Sequence, residues 1–154
     1  MAKKDEFVVD SSVVTKWFLV ETGSDQAVRL RDQFATGQLR LAVPTLLFYE
    51  VINALRFSAV FDETDLALAA RSLSKYRFGI WRPRGTLLEL SAQLSVREDV
   101  SVYDAFYVAL ARRLGSKVIT EDRELLSKFP ADTVPVIRFA SISSGEHNSA
   151  GSPS

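Results

Sequence analysis

The sequence predicts an α/β fold in which a mainly parallel sheet is covered by helices on both faces. Three observations predict it. Short apolar runs of β character, Phe7 to Asp10, Leu39 to Val43, Lys117 to Thr120 and Val134 to Ile137, alternate with longer stretches of helical periodicity. Neither an internal repeat nor a linker long enough to divide domains interrupts that alternation. The 154 residues, 47% hydrophobic and 25% charged, have the size and composition of one domain with a core of its own.

Each element has a local reason. After the strand at Phe7 to Asp10, Asp10-Ser11-Ser12 offers N-cap chemistry for a helix to about Val20. Thr22-Gly23-Ser24 punctuates the chain, and Ala27, Leu30, Arg31 and Phe34 then share a helical face up to a stop at Gly37. Pro44, after the second strand, is placed to open a helix through Leu46, Leu47, Val51, Ala54 and Leu55, with Glu50 inside it. A further helix is expected from about Glu63 to Tyr76, capped by Asp62 or Thr64, and Phe78 to Trp81 reads as a short strand before the Pro83 break. Gly85-Thr86 leads into an amphipathic helix that ends around Arg97 to Asp99. Ser101 to Leu126 strings together a helix, the strand ending at Thr120 and a second helix start. Val134 to Ile137 suggests an edge strand, because Pro135 cannot donate a ladder hydrogen bond. The domain is expected to span residues 1–140, with a disordered tail over 141–154 in which His147 has no role.

Composition removes several chemistries. There is no cysteine, hence no disulfide, thiolate nucleophile or cysteine zinc site, and a single histidine leaves little room for imidazole chemistry. MAKKDEF meets Asp5 and Glu6 before any long apolar run, so the expectation is a cytoplasmic protein, neither exported nor membrane-spanning. Nineteen basic residues balance nineteen acidic ones, and only local charge is informative. Arg71, Lys75, Arg77, Arg82 and Arg84 stand in a stretch without a carboxylate, which is either a solvated face or a phosphate-contacting patch.

Four carboxylates carry the chemistry. In a parallel α/β sheet, sites gather beyond the carboxyl ends of the strands. Asp10 ends the first strand, Asp122 lies two residues beyond Thr120, and Asp104 is in the first turn of a helix capped by Ser101. Glu50 sits deeper, but helical side chains lean toward the N-terminus and glutamate is long. Singly, each has a bland reading: Asp10 a cap, Ser101 to Asp104 a capping box, Asp122 a complement to a helix dipole. Glu50 resists one, since LLFYEVINAL gives it apolar neighbours and no cation. Two bare carboxylates about 4 Å apart repel by roughly 4 kcal/mol at an effective dielectric of 20, so converging ones call for a counter-charge. Oxygen donors without histidine or cysteine suit Mg2+ or Mn2+, and such ions suit phosphodiester hydrolysis. Competing chemistries lack their parts: Ser12 stands where a haloacid-dehalogenase-type phosphatase wants a second aspartate, and P-loop, dinucleotide and Gly-x-Ser-x-Gly motifs are absent.

VVDSSVVTKWFLVE, the glutamate in TLLFYEVINAL, SVYDAFYVALARRLG and KVITEDREL, in this order and spacing over roughly Phe7 to Ile137, resemble the PIN-domain ribonucleases of the VapC toxin type. The resemblance implies a three-layer α/β/α fold with a five-stranded parallel sheet, an Mg2+- or Mn2+-dependent endoribonuclease, an inhibiting antitoxin and a homodimer. It assigns the acidic quartet to Asp10, Glu50, Asp104 and Asp122: the three aspartates would hold the principal ion, and Glu50 with Asp104 would lean toward a second. Ser12 and Thr120 match flanking hydroxyl positions, and either Asp122 or Asp104 would take the proton from the attacking water.

The resemblance leaves other residues open. Lys16 touches phosphate or pairs with Glu21, and Trp17, Phe18 and Trp81 stack on bases or pack in the core. Lys16, Arg71, Lys75, Arg82 and Arg84 are the candidate RNA contacts. Two alternatives stand beside the toxin: an RNA-processing nuclease of the same fold without an antitoxin, and a non-catalytic interaction module.

Overall fold

The computed structural model describes residues 3–139, and the expectations for the tail over 141–154 and for His147 lie outside them. Five strands, β1 (Glu6–Val9), β2 (Arg40–Pro44), β3 (Gly79–Trp81), β4 (Val118–Thr120) and β5 (Thr133–Pro135), form one parallel sheet in the order β3-β2-β1-β4-β5. Val8 pairs with Ala42 on one side and Val118 on the other, which puts β1 at the centre. The central strands are buried on successive residues, Val8-Val9, Leu41-Ala42-Val43 and Val118-Ile119-Thr120, because helices cover both faces.

Parallel strands need helical crossovers, and the sequence supplies them. Between β1 and β2 come α1 (Ser11–Val14), a 3-10 turn (Thr15–Trp17) and α2 (Ser24–Ala35). Between β2 and β3 come α3 (Leu46–Phe57) and α4 (Glu63–Lys75). The chain then crosses the sheet through α5 (Gly85–Glu98) and α6 (Val102–Arg113) to β4, and α7 (Arg123–Lys128) leads to β5. Residues Ala105 to Ala111 of α6 are buried without a break, and the helix lies against β1, β2 and β4. Its apolar girdle is therefore core, and Arg112 and Arg113 mark where it emerges.

Three expectations shift. The first helix runs only to Val14 before tightening into the 3-10 turn. Pro44 ends β2 instead of opening α3: at the last position of the strand its missing N–H costs little, and its restriction of the preceding residue favours extended backbone. The last strand begins at Thr133 and ends at Pro135, after which residues 136–139 are helical. Glu121 Oε1 accepts the Val136 amide at 3.0 Å, satisfying a donor at the start of that turn. Asp62, not Thr64, caps α4, with a closed capping box to Asp65.

Trp17, Phe34, Tyr76 and Phe78 stack into one aromatic cluster, with Phe34 and Phe78 5.0 Å apart and Trp17 nearly parallel to Phe78 at 6.0 Å. Trp17 belongs to the core, although its Nε1 has no hydrogen-bond partner among the described residues.

Candidate active site

Strand order fixes where a site can form. From β1 the chain steps outward to β2 and β3, whereas from β4 it steps the other way to β5, so the loops after β1 and β4 diverge and leave a crevice at their carboxyl ends. Asp10 leaves β1 into that crevice, and Asp122 caps α7 on its far side.

Asp10 is only 5% exposed, yet every contact it makes is a donor. Oδ1 accepts the Ser11 amide at 2.8 Å; Oδ2 accepts Ser12 Oγ at 2.7 Å and Thr120 Oγ1 at 2.8 Å. The two hydroxyls, 3.4 Å from each other, are also tied to the backbone. Ser12 Oγ accepts the Glu121 amide at 3.0 Å and Thr120 Oγ1 accepts the Asp122 amide at 2.9 Å. An amide can only donate, so each hydroxyl keeps its one proton to give, and the much shorter contact in both cases is to Asp10. Ser12 and Thr120 thus stitch the loops after β1 and β4 together and fix one orientation of the carboxylate.

The other carboxylates arrive from three helices. Asp122 Oδ1 accepts the amides of Glu124 (2.9 Å) and Leu125 (3.1 Å), while Oδ2 has no hydrogen-bond partner among the described residues. The Asp104 amide donates to Ser101 Oγ at 3.1 Å, which leaves the half-buried carboxyl in the first turn of α6. Glu50, on α3, accepts Tyr107 Oη on Oε1 at 2.6 Å. Burial pushes the Glu50 carboxyl from its ordinary 4.5 to about 7; the Tyr107 bond opposes the rise, and the charges of Asp10 and Asp104 add to it. Burial also raises Asp10, against its Ser12 and Thr120 bonds and with help from Asp122. Asp104 is raised by burial and by the charges of Asp122 and Asp10. Asp10 and Asp104 act electrostatically on Glu50, and Asp122 acts on Asp10 and Asp104, so the four carboxylates named in the sequence lie near one another.

That unit fits a hard cation in its chemistry. Its donors are carboxylate oxygens and hydroxyls, and no lysine or arginine forms an ion pair with any of the four among the described residues. It is not a closed cage: no three Asp, Glu, His or Cys side chains among the described residues are arranged to hold an ion as they stand.

The remaining candidates divide. Lys16 turns inward, with its ammonium 3.7 Å from Glu21 and bonded to the Thr22 carbonyl, and only 12% of its side chain is exposed. That geometry follows the ion-pair alternative, not a phosphate contact. The stretch from Arg71 to Arg84 does not make one patch, because β3 carries the chain from one edge of the sheet to the other. Arg71, Lys75 and Arg77 lie at or near the end of α4, whereas Arg82 and Arg84 follow β3 at the carboxyl edge shared with the carboxylates. Five residues of extended chain separate Arg77 from Arg82 by roughly 16 Å. All five cations are exposed.

One residue escaped sequence reasoning. Tyr107 is fully buried, three positions after Asp104 on α6, and its hydroxyl is the hydrogen-bond donor that holds Glu50. The i, i+3 spacing put it on the face of Asp104, but a tyrosine within FYVALA reads as core.

Comparison with known proteins bears on this geometry. A family model described as PIN domain matches residues 7–130. Ribonuclease VapC3 of Pyrobaculum aerophilum is 32% identical over 134 residues, covering 84% of this chain and 99% of its own. Exonuclease VapC9 of the same organism is 29% identical over 123 residues, covering 80% and 85%. Among solved structures, PAE2754 from Pyrobaculum aerophilum superposes with a TM-score of 0.69 at 26% identity over 92% of this chain and 96% of its own. A chain from a Klebsiella pneumoniae toxin–antitoxin complex superposes at 0.57 with 18% identity, over 84% and 97%, and shares the fold.

Proposed function

This chain belongs to the PIN domain family, and from that premise we propose that it is a metal-dependent endoribonuclease, the toxin of a toxin–antitoxin pair. The observation that carries the proposal is the site itself: four neighbouring carboxylates at the switch point of a parallel sheet, with no basic side chain paired to them among the described residues. Asp10, Asp104 and Asp122 would hold Mg2+ or Mn2+, with Glu50 and Asp104 directed toward a second ion. A bound divalent ion would lower the pKa of a water and offset phosphodiester charge.

The chain's own groups do the positioning. Ser12 and Thr120 donate to Oδ2 of Asp10 and the Ser11 amide to Oδ1, bonds that oppose the rise burial imposes and so favour the ionised form an ion needs. Asp122 spends Oδ1 on the α7 amides and keeps Oδ2 for the crevice. Tyr107 fixes the rotamer of Glu50. Arg82 and Arg84, at the same edge, would meet RNA phosphates. Similarity to VapC3, a ribonuclease by name, supports RNA as substrate. An antitoxin and a second copy of the chain are the proposed partners, and the cytoplasm the proposed location. Tyr49 and Tyr103, 77% and 64% exposed and adjacent in sequence to Glu50 and Asp104, are apolar surface a partner would cover.

Incubation of the purified chain with RNA tests the reading. Cleavage is expected with Mg2+ or Mn2+, none in EDTA and none with Asp104→Asn; undiminished cleavage in EDTA would falsify the mechanism. Because VapC9 is called an exonuclease, a circular RNA belongs in the assay: linearisation requires internal cleavage. Expression with and without the neighbouring reading frame tests the antitoxin, whose presence should relieve growth arrest.

A further inference from the structure

The amino edge of the sheet, opposite the carboxylates, has a cleft of about 810 Å³ that the proposed mechanism does not use. Lys4 ahead of β1, Arg40 opening β2, and Lys75 and Arg77 at the end of α4 line it, and no carboxylate does. All four cations are exposed, and none forms an ion pair among the described residues. In a chain with equal numbers of acidic and basic residues, that segregation asks for a cause.

One cause is structural. Helices of a parallel α/β fold end at the amino edge, where α2 and α4 each present about half a negative charge, which cations complement. Glu6, register partner of Arg40 on β1, contributes another negative charge nearby. Four positive charges against about two negative ones still leave the cleft about +2. Helix-end complementation therefore accounts for only part of the cluster.

The cleft is also connected to the active site. From Arg77 the chain runs along β3, an edge strand with Gly79 and Ile80 exposed, to Arg82 and Arg84 at the carboxyl edge. No acidic residue occurs between Leu66 and Leu88, and the one carboxylate found against β3 among the described residues is that of Glu6, within 4 Å of where a side chain at Gly79 would begin. Tyr76, partly exposed in the cleft wall, offers a ring beside the cations.

We propose that this cleft is a second RNA-binding site, which holds the phosphodiester backbone of single-stranded RNA extending along β3 from the carboxylate site. The inference rests on RNA being the substrate. The repeated spacing of phosphates, not one anion, is what a row of cations from Lys4 and Arg40 through Arg77 to Arg84 fits.

Fluorescence anisotropy with a labelled 24-nucleotide oligouridine, titrated with the full chain carrying Asp104→Asn across a salt series, tests it. The variant Lys4→Gln/Arg40→Gln/Arg77→Gln is compared with Arg29→Gln/Arg97→Gln/Arg113→Gln, which removes the same charge from exposed sites elsewhere. The cleft triple should lose at least about tenfold in affinity near 0.1 M salt, and its log K against log salt slope should fall by roughly 2, at ~0.7 per phosphate contact on a single strand. The control triple should stay within about twofold of its parent. Equal behaviour of the two triples, or parental affinity in the cleft triple, overturns the second site while leaving the RNA-cleavage reading intact. A parent chain that does not bind RNA, together with a wild type that does not cleave it, overturns both. If the triple does not fold, Arg40→Gln and Arg77→Gln singly should each lower the slope by about 0.7, and unchanged slopes would refute the proposal.

Discussion

Tyr107 is the most informative single residue, because its bond to Glu50 joins α6 to α3 across the site. Tyr107→Phe keeps the ring and removes only the donor, so the fold should lose about 1 kcal/mol or less. Cleavage should fall roughly tenfold or more, the scale on which groups that orient a metal ligand act, and Mn2+ affinity by calorimetry should weaken with it. Parental Mn2+ affinity in Tyr107→Phe would reduce the tyrosine to packing. Glu50 itself makes a pH prediction. In the folded chain it keeps its proton up to about 7, whereas in the unfolded chain it releases it from 4.5. The folded state therefore binds more protons within that window, and the contribution of Glu50 to stability, full below 4.5, is lost as pH rises toward 7. In thermal melts with EDTA, Glu50→Gln should gain on the wild type as pH rises through this window and run parallel to it outside. A constant difference across the range would show that Glu50 is not held protonated.

At the scale of elements, one carboxylate performs two tasks. Asp122 caps α7 through Oδ1, and Oδ2 has no hydrogen-bond partner among the described residues, so the cap leaves an oxygen for the proposed ion. Substitution separates them. Asparagine caps as well as aspartate, so Asp122→Asn should melt like the wild type in EDTA but bind Mn2+ poorly. Asp122→Ala should lose both the ion and about 1 kcal/mol of stability. Asp10, Asp104 and Asp122 were legible in sequence because each is tied to a local pattern, a strand end or a helix cap, and Glu50 because nothing local could satisfy it. Tyr107 was not, since its partner lies 57 positions away. Pro44 was misplaced by one element because proline suits both a strand end and a helix start, and only the pairing of Pro44 with Trp81 decides between them.

At the scale of the molecule, the alternation of strands and helices made the fold class legible but carried nothing about strand order, since parallel strands of similar apolar composition do not name their neighbours. Order is what creates the crevice between β1 and β4, and it also splits one basic stretch of sequence between two edges. The zero net charge thus hides a molecule with a carboxylate cluster at one edge and, at the other, cations that form no ion pair among the described residues. This separation gives RNA binding an unusual dependence on metal. Without a divalent ion the quartet repels phosphate, and removing one carboxylate relieves part of that repulsion, worth about 1 kcal/mol at 4 Å in a water-like dielectric, or roughly fivefold in affinity. With the ion present, the same substitution removes a ligand and weakens the attraction. Asp104→Asn should therefore bind oligouridine more tightly than the wild type in EDTA and less tightly in Ca2+, chosen as an oxygen-seeking ion, and anisotropy titrations in the two buffers measure both signs. A shift of the same sign in both buffers would mean that Asp104 meets RNA without any ion between them.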